Sequence, residues 1–223
     1  MALDQQRSFT LTAPDDDGIC AAQTRVGAGD LTINGALTTS GVFTVDDKCA
    51  KQLSFTSTGN ISATTLTVYG HLLKHSPEFT ETVTGPNNST VETTNYFYKV
   101  TRIATSGNVS TNTTVGTSDE AVTPPILCNR AAGERTVSVE LSGTVNADLQ
   151  HCLSDVLALG HDGTYSETTA DWLDNDASTP LTGMTSGHNA INYNAPVMAY
   201  RVVTNSYSST PTIVVRVIEP GVE

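Results

Sequence analysis

Three side chains that stand close together in the chain could in principle carry out hydrolysis. His151, Ser154 and Asp155 are the residue types of a serine-hydrolase triad, in which a base activates a hydroxyl nucleophile. Such triads are assembled across a fold, and no second stretch supports one here. The nearest match to a nucleophile elbow, residues 183–187, has its serine one place late. The sequence therefore favours polar residues at the end of a strand or helix, and we expect no enzyme.

Acidic residues and histidines are the second group whose types suit chemistry, in this case metal binding. Asp171, Asp174 and Asp176, with Asp162 nearby, could gather carboxylate oxygens around a calcium ion, but their spacing does not match the EF-hand loop. The five histidines are scattered without the close pairs of a zinc motif, and no glycine-rich phosphate loop occurs. We therefore interpret the aspartates as a solvated acidic loop and expect neither a metal nor a cofactor.

Cysteine is the third reactive type. Cys20, Cys49, Cys128 and Cys152 lie 29, 79 and 24 positions apart, without the close pairs of zinc ribbons or redox motifs. Buried free thiols are the favoured interpretation, because disulfides are rare in proteins that fold in the cytosol. The alternative is a set of disulfides formed after release from a cell, which would join Cys20 to Cys49 and Cys128 to Cys152, or link subunits.

Composition and charge restrict both the class of protein and the class of partner. The 223 residues include 36 Thr and 19 Ser, which favour half-solvated strands and turns, while charged residues make up only 15%. These proportions predict an all-β protein. A net charge of −12 and a pI of about 4.6 argue against binding to nucleic acid or to anionic membranes, because both are bound through Lys and Arg. A protein is the expected partner.

Targeting signals are not recognisable in the sequence. The N-terminal residues have neither the basic start nor the apolar core of a secretory signal. No run approaches the roughly eighteen apolar residues that a membrane helix needs. We therefore expect the chain to be made in the cytoplasm and not to enter a membrane.

The elements that must position these residues are short strands. We interpret residues 1–30 as an irregular arm, because turn formers and an acidic triplet show no sustained period. Residues 79–84 and 90–103, separated by a turn signal, predict a central hairpin. Pro124 and Pro125 cannot join a sheet ladder, so we place a boundary there between β-sandwich domains at 31–122 and 126–223. The other strands predicted in the first domain span residues 31–39, 41–47, 51–57, 65–69 and 108–115.

The second domain opens with the clearest alternation in the chain, at 135–141. Residues 147–159 predict a strand followed by a short helix, and 160–194 form a long polar loop that carries the only tryptophan, Trp172. Residues 198–204 and 212–218 predict a closing hairpin with a wide turn. Both faces of its second strand are largely apolar, with Arg216 among them, which indicates burial in a sandwich or against another subunit.

Several stretches resemble a recurrent class of virion proteins of tailed bacteriophages. The resemblance covers 30–117 and 135–219 and consists of turn and strand patterns, with no catalytic residue to carry over. It implies jelly-roll or immunoglobulin-like β-sandwich modules that assemble as small homo-oligomers, often trimers, on the outside of the capsid. The cysteines fall outside the pattern and suggest a disulfide-reinforced variant. The stretches are LTINGALTTSGVFTVDD, KQLSFTSTGN, ETVTGPNNSTVETTNYFYKVTRIATSG, NVSTNTTVGT and APVMAYRVVTNSYSSTPTIVVRVIE.

Residues and resemblance together suggest a non-enzymatic capsid decoration, or cement, protein located in the virion. Its expected partners are the major capsid protein and sister protomers in a homotrimer, with the arm 1–30 and the loop 160–194 in contact with them. Trp172 and Arg216 are the candidate interface residues. Two alternatives remain open: a neck, collar, tail or fibre component, and a carbohydrate-binding module that stacks sugars on Trp172, Tyr193 and Tyr165.

Overall fold

The computed structural model describes residues 3–45, 48–128, 134–174, 181–193 and 197–219. These described residues form eighteen strands and one helix, so the chain is all-β as its composition predicts. The strands up to the middle of the chain are β1 (Leu3–Thr10), β2 (Asp15–Arg25), β3 (Gly29–Asp30), β4 (Thr38–Thr39), β5 (Val42–Thr44), β6 (Ala50–Ser57), β7 (Thr65–His71), β8 (Phe79–Thr84), β9 (Thr90–Phe97), β10 (Lys99–Thr105) and β11 (Val109–Val122). The remaining elements are β12 (Ile126–Leu127), β13 (Arg135–Ser142), β14 (Val145–Cys152), α1 (Val156–His161), β15 (Trp172–Asp174), β16 (Gly187–Tyr193), β17 (Ala199–Tyr207) and β18 (Thr212–Glu219).

The strands are distributed over three sheets. A four-stranded sheet has the order β1-β18-β13-β16. A six-stranded sheet has the order β4-β5-β10-β7-β8, with β3 also paired to β10. An eight-stranded sheet has the order β15-β14-β17-β11-β6-β9, with β12 paired to β17 and β2 paired to β11. All of the strand pairs are antiparallel, which allows one face of each sheet to be solvated while the other packs on a core.

Two hydrophobic cores lie between these sheets. In the first, Leu66 and Ile103 of the six-stranded sheet pack in one cluster with Phe55 of β6. In the second, Val139 of the four-stranded sheet packs in one cluster with Val202 of β17. The eight-stranded sheet therefore contributes to both cores, and the layered sheets are consistent with a β-sandwich architecture.

The central sheet is continuous through the place where the sequence predicts a domain boundary. β11 extends to Val122, and its last residues pair with β17, Ala121 with Thr204 and Val122 with Val203. Pro124 and Pro125 lie outside the strands, as expected, but the chain on both sides of them belongs to the same sheet. The division into domains at 31–122 and 126–223 stays a prediction.

The predicted irregular arm is wrong, because residues 1–30 contribute strands. All eight residues of β1 pair with β18, and β2 pairs with β11. Phe9, Leu11 and Ile19 anchor this segment in the cores with at most 6% exposure. The sequence hides these strands because the polar residues between the anchors break the alternation that marks a strand.

Both predicted hairpins are also wrong. β17 lies in the eight-stranded sheet and β18 in the four-stranded sheet, so the connection between them crosses from one layer to the other. In the same way, β8 belongs to the six-stranded sheet and β9 to the eight-stranded sheet. Turn signals and strand patterns are the same for a hairpin and for a crossing between layers, because only distant pairing partners distinguish them.

The second half of the chain contains one confirmed prediction and one error. The strand β14 followed by the helix α1 confirms the interpretation of residues 147–159, and the Asp155 side chain caps the helix by accepting a hydrogen bond from the Ala158 N–H. The loop predicted at 160–194 contains β15 and β16, and β16 pairs with β13 from Arg135 to Leu141. β16 lies at a sheet edge with most of its residues solvated, and a polar edge strand has the composition of a loop.

Candidate functional site

The three residues with triad chemistry are not brought together as a triad. The Ser154 hydroxyl donates to the Asp171 carboxylate at 3.0 Å, and Asp155 caps α1. The His151 ring packs at an edge-on angle against Tyr193, with 5.6 Å between ring centroids. The Ser154 hydroxyl is therefore bonded to Asp171 and not to the imidazole of His151 as in a triad.

The acidic loop does not form a cation site in the part of the chain that the structure describes. Asp174 accepts a hydrogen bond from Gln150 at 2.8 Å, and Asp162 is exposed beside His161. Asp176 lies outside the described residues. No group of three or more His, Cys, Asp or Glu side chains among the described residues is arranged to hold a metal ion.

No disulfide joins any two of the four cysteines in the structure, which agrees with the favoured interpretation of thiols and corrects the alternative of pairs within the chain. Cys20 is paired in register with Val115 of β11, whereas Cys49 directly precedes Ala50, the partner of Val122. Seven positions along one strand separate these places, on the order of 20 Å, whereas a disulfide requires its Cα atoms within about 7 Å.

The second predicted pair is separated by a whole strand. Cys152 pairs with Ala199 on one side of β17, and Cys128 continues β12 on the other side, where its N–H donates to the Met198 carbonyl. Two strand spacings amount to about 10 Å, which is too far for a bond. Burial raises the pKa of the Cys20 thiol to about 12 and also raises that of Cys152, so both remain protonated at neutral pH.

Arg201, which the sequence patterns did not identify, is the centre of a buried polar network. Its guanidinium makes two parallel hydrogen bonds to Glu167, at 2.6 and 2.9 Å, and a third to Gln150 at 2.7 Å. The side chains of Arg201 and Glu167 are only 3% and 14% exposed. Burial alone would lower the pKa of Arg201, but the hydrogen bonds and charge of Glu167 outweigh burial and raise it.

Trp172, a predicted interface residue, belongs to the same network. The Arg201 guanidinium lies over the Trp172 ring at 4.2 Å from its centroid, and the indole N–H donates to the Tyr165 hydroxyl at 3.3 Å. Burial and the charge of Glu167 raise the pKa of Tyr165 to about 12. One face of the tryptophan thus stacks on an internal cation, and the interface role of its remaining surface stays a prediction.

A second buried ion pair closes the end of the four-stranded sheet. The Arg135 Nε donates to Glu219 at 3.0 Å, and Arg135 Nη1 donates to the Val197 carbonyl at 3.1 Å. Both side chains are at most 1% exposed. An arginine within an apolar strand pattern is a sequence signal for a buried charge. The same signal that indicates Arg216 is present at Arg135 and at Arg201.

The aromatic residues proposed as a sugar platform do not form a common surface. Tyr165 is only 5% exposed and packs in the first core, whereas Tyr193 packs against Tyr200 of the second core with ring centroids 5.0 Å apart. Trp172 is covered by Arg201 as described above. A carbohydrate site built on these three residues is therefore not supported.

Arg216 lies on the outer face of the four-stranded sheet. It is paired in register with Gln6 on β1 and Ser138 on β13, and it is partly buried. Its Nε is buried and has no hydrogen-bond partner among the described residues. On the same face and strand, Ile218 is 44% exposed and Val214 is partly exposed.

A groove lies where the loop after β7, the β11–β12 connection and α1 meet. It consists of two adjoining depressions of about 410 and about 400 Å³. Both are lined by Leu73, Lys74, Pro124 and Pro125, and we call this feature the proline groove. Tyr96 and Tyr98 line one depression, and Leu157 and His161 line the other.

None of the helical structure in the described ranges has the length and apolar character to span a bilayer.

Comparison with known proteins assigns no family. No protein-family model and no curated protein matches the chain. The major capsid protein of Sulfolobus turreted icosahedral virus aligns at 8% identity and a TM-score of 0.21 over 96% of each chain. The major capsid protein P2 of bacteriophage PM2 aligns at 7% identity and 0.21, over 98% of this chain and 99% of that one. TM-scores this low do not establish a common fold, so these alignments support no conclusion about the chain.

Proposed function

We propose that this chain is a non-enzymatic structural protein of a bacteriophage virion, which binds the outside of the head as a decoration or cement protein. The acidic, all-β composition and the resemblance of the strand and turn stretches support the virion assignment. The buried charged side chains support a structural role, because they hold elements of the fold together. Arg135 is paired with Glu219 on β18, and Arg201 is paired with Glu167 in the segment that follows α1. Such a protein acts by burying surface between neighbouring subunits.

The observation that carries the proposal is the outer face of the four-stranded sheet. A desolvated guanidinium nitrogen without a partner costs free energy, because a buried polar group loses its hydrogen bonds to water. A carboxylate from a neighbouring subunit would restore the lost hydrogen bond at Arg216, and the exposed side chain of Ile218 would be covered by the same contact. The neighbour is a sister protomer in a homotrimer or a subunit of the major capsid protein.

The charges on this face fit a contact between identical copies. Asp4 is paired with Ile218, and Glu140 is paired with Val214, so both carboxylates lie on the same face as Arg216 and diagonal to it. Both are exposed. In a homotrimer the contacts are heterologous, so this basic centre flanked by acidic groups would meet a carboxylate and basic groups on a different face of the neighbouring copy.

The position in the virion is tested by imaging purified particles. The chain is located on them with an antibody against it or with a density marker fused to it. A decoration protein predicts density over the whole shell. A single ring at one vertex would assign the chain to a neck or collar, and density on the tail or fibres would assign it there. Particles without any density would remove the virion assignment.

A further inference from the structure

The proline groove is apolar along its walls and is not covered by any part of the described chain. Leu127 and Leu157, which both line it, are 40% and 59% exposed. Leucines this exposed beside a concave surface mark places where a partner removes apolar area from water. The two prolines have fixed φ angles, so this wall is already in place before anything binds.

The rim of the groove is basic although the chain as a whole is strongly acidic. Lys48, Lys74, His75 and His161 line the two depressions and are exposed. Glu167 is the one acidic residue among the described lining residues, and its charge is paired with Arg201. Two of the four lysines in the chain thus lie at one groove, while Asp46 and Asp47, which precede Lys48, are outside the described residues.

We propose that the proline groove binds an extended polypeptide segment that carries carboxylates beside apolar side chains. The carboxylates would lie near Lys48 and Lys74, and the apolar side chains would cover Leu127, Leu157 and the prolines. Positive potential over an otherwise negative surface attracts an acidic segment and repels a basic one. This inference does not depend on the virion proposal, because it concerns a different surface from that around Arg216.

The chemistry of the walls favours a peptide over a sugar. In the depression beside α1 the apolar surface is aliphatic and prolyl, at Leu73, Leu127 and Leu157, whereas sugar sites stack their ligand on exposed aromatic faces. Tyr96, which lines the other depression, already donates its hydroxyl to Glu120 at 3.1 Å. An extended peptide can place alternate side chains on the apolar wall and the basic rim, because they point to opposite sides.

The test is a random-peptide library displayed on phage and selected against the full-length protein. A protein of net charge −12 should by default enrich basic peptides, so an acidic and apolar pool would be specific to the groove. We expect such a pool on the wild type and its loss on Lys48→Glu/Lys74→Glu. The control variant Arg7→Glu/Lys99→Glu makes the same change in net charge outside the groove and should retain the pool.

The strongest enriched peptide is then synthesised, and its affinity is measured by fluorescence anisotropy. We expect the groove variant to bind about tenfold or more weakly, because two ion pairs become repulsions, and the control to bind within a small factor of the wild type. Thermal melting confirms that all variants are folded. A basic or neutral pool, no enrichment, equal loss in both variants, or binding only to a glycan array would each overturn the proposal.

Discussion

At the scale of single residues, two buried arginines, Arg135 and Arg201, are each held in an ion pair with a glutamate, and removing one partner leaves the other uncompensated. Glu167→Gln removes the charge that compensates Arg201 and leaves the guanidinium desolvated. We expect a loss of about 3–5 kcal/mol in the free energy of unfolding, because an uncompensated buried charge is strongly destabilising. Urea denaturation of the purified protein measures this difference.

The matched control for that change is Glu92→Gln, which makes the same chemical replacement at an exposed position of the edge strand β9. We expect its effect to stay within about 0.5 kcal/mol, as for surface substitutions in general. Equal effects of the two variants would contradict the role assigned to the Arg201 network.

The buried thiols predict a loss of stability at high pH. Burial raises the pKa of Cys20 and Cys128 from 9.0 to about 12. Between these values the unfolded chain releases protons that the folded chain keeps, so stability is complete below pH 9 and falls as the pH rises towards 12. The Cys20→Ala variant should show a shallower fall, by up to about 1.4 kcal/mol per pH unit.

Val115→Ala is the control for the cavity that Cys20→Ala leaves, because Val115 is paired in register with Cys20 and does not titrate. It should lower stability at every pH without changing the slope.

A thiol assay in denaturant without reductant should count four thiols, and reductant should leave the melting temperature unchanged. Fewer than four thiols would restore the disulfide hypothesis that the structure corrects.

Arg216 makes a residue-level prediction about association. Arg216→Gln should shift the isolated protein from oligomer to monomer, because the replacement removes the charge that a neighbouring carboxylate would neutralise. Arg7→Gln, an exposed arginine on β1, is the control. Light scattering at several protein concentrations measures the mass. A wild type that stays monomeric, or a variant with unchanged mass, would contradict the proposed contact.

At the scale of elements, the crossings between the sheet layers decide the fold. The connections β13–β14 and β17–β18 lie side by side, and a Cβ on Gly143 would come within 3.1 Å of the Pro211 Cα. Gly143 also has a positive φ of +88°. We expect Gly143→Ala to cost about 1–3 kcal/mol through backbone strain and this contact.

Gly187→Ala separates these two causes. Gly187 has nearly the same φ, +87°, but nothing lies within 4 Å of the added Cβ. It should therefore show the strain alone and lose less stability than Gly143→Ala in the same denaturation experiment. A larger loss for Gly187→Ala would mean that the two connections do not pack as described.

Sequence patterns predict strands well here but predict their partners poorly. β6, β7, β13 and the β14–α1 succession follow from alternation and periodicity, because their apolar residues recur at the spacing of a strand or a helix. The order of strands does not follow, since a turn signal is the same for a hairpin and for a crossing between layers. β1 and β16 were missed for a related reason, because edge strands with solvated residues resemble an arm and a loop.

The candidate site was predictable only in part, for the same physical reason. Arg216 was found because it interrupts an apolar strand that the pattern already identifies. The pairing of Arg201 with Glu167, and the meeting of Pro124 with Leu157 at the proline groove, join residues 34 and 33 positions apart. Such contacts depend on the order of strands, and local periodicity contains no information about it.

At the scale of the whole molecule, two hydrophobic cores share the eight-stranded sheet, and surfaces outside these cores are open to contacts. The four-stranded sheet presents the face around Arg216. The proline groove is a separate surface, at the place where the loop after β7, the β11–β12 connection and α1 meet. Two distinct surfaces on one β-framework suit a protein that links neighbouring subunits. The proposal of a virion structural protein rests on this arrangement together with the resemblance of the sequence.

The most direct test of that proposal is the copy number of the chain in purified virions, measured by quantitative mass spectrometry against the major capsid protein. The proposal predicts that the chain remains with particles through density-gradient purification, in a fixed ratio to the major capsid protein and in comparable amount. Absence of the chain from purified particles would contradict the central claim, and a fixed but far smaller amount would contradict decoration of the whole shell.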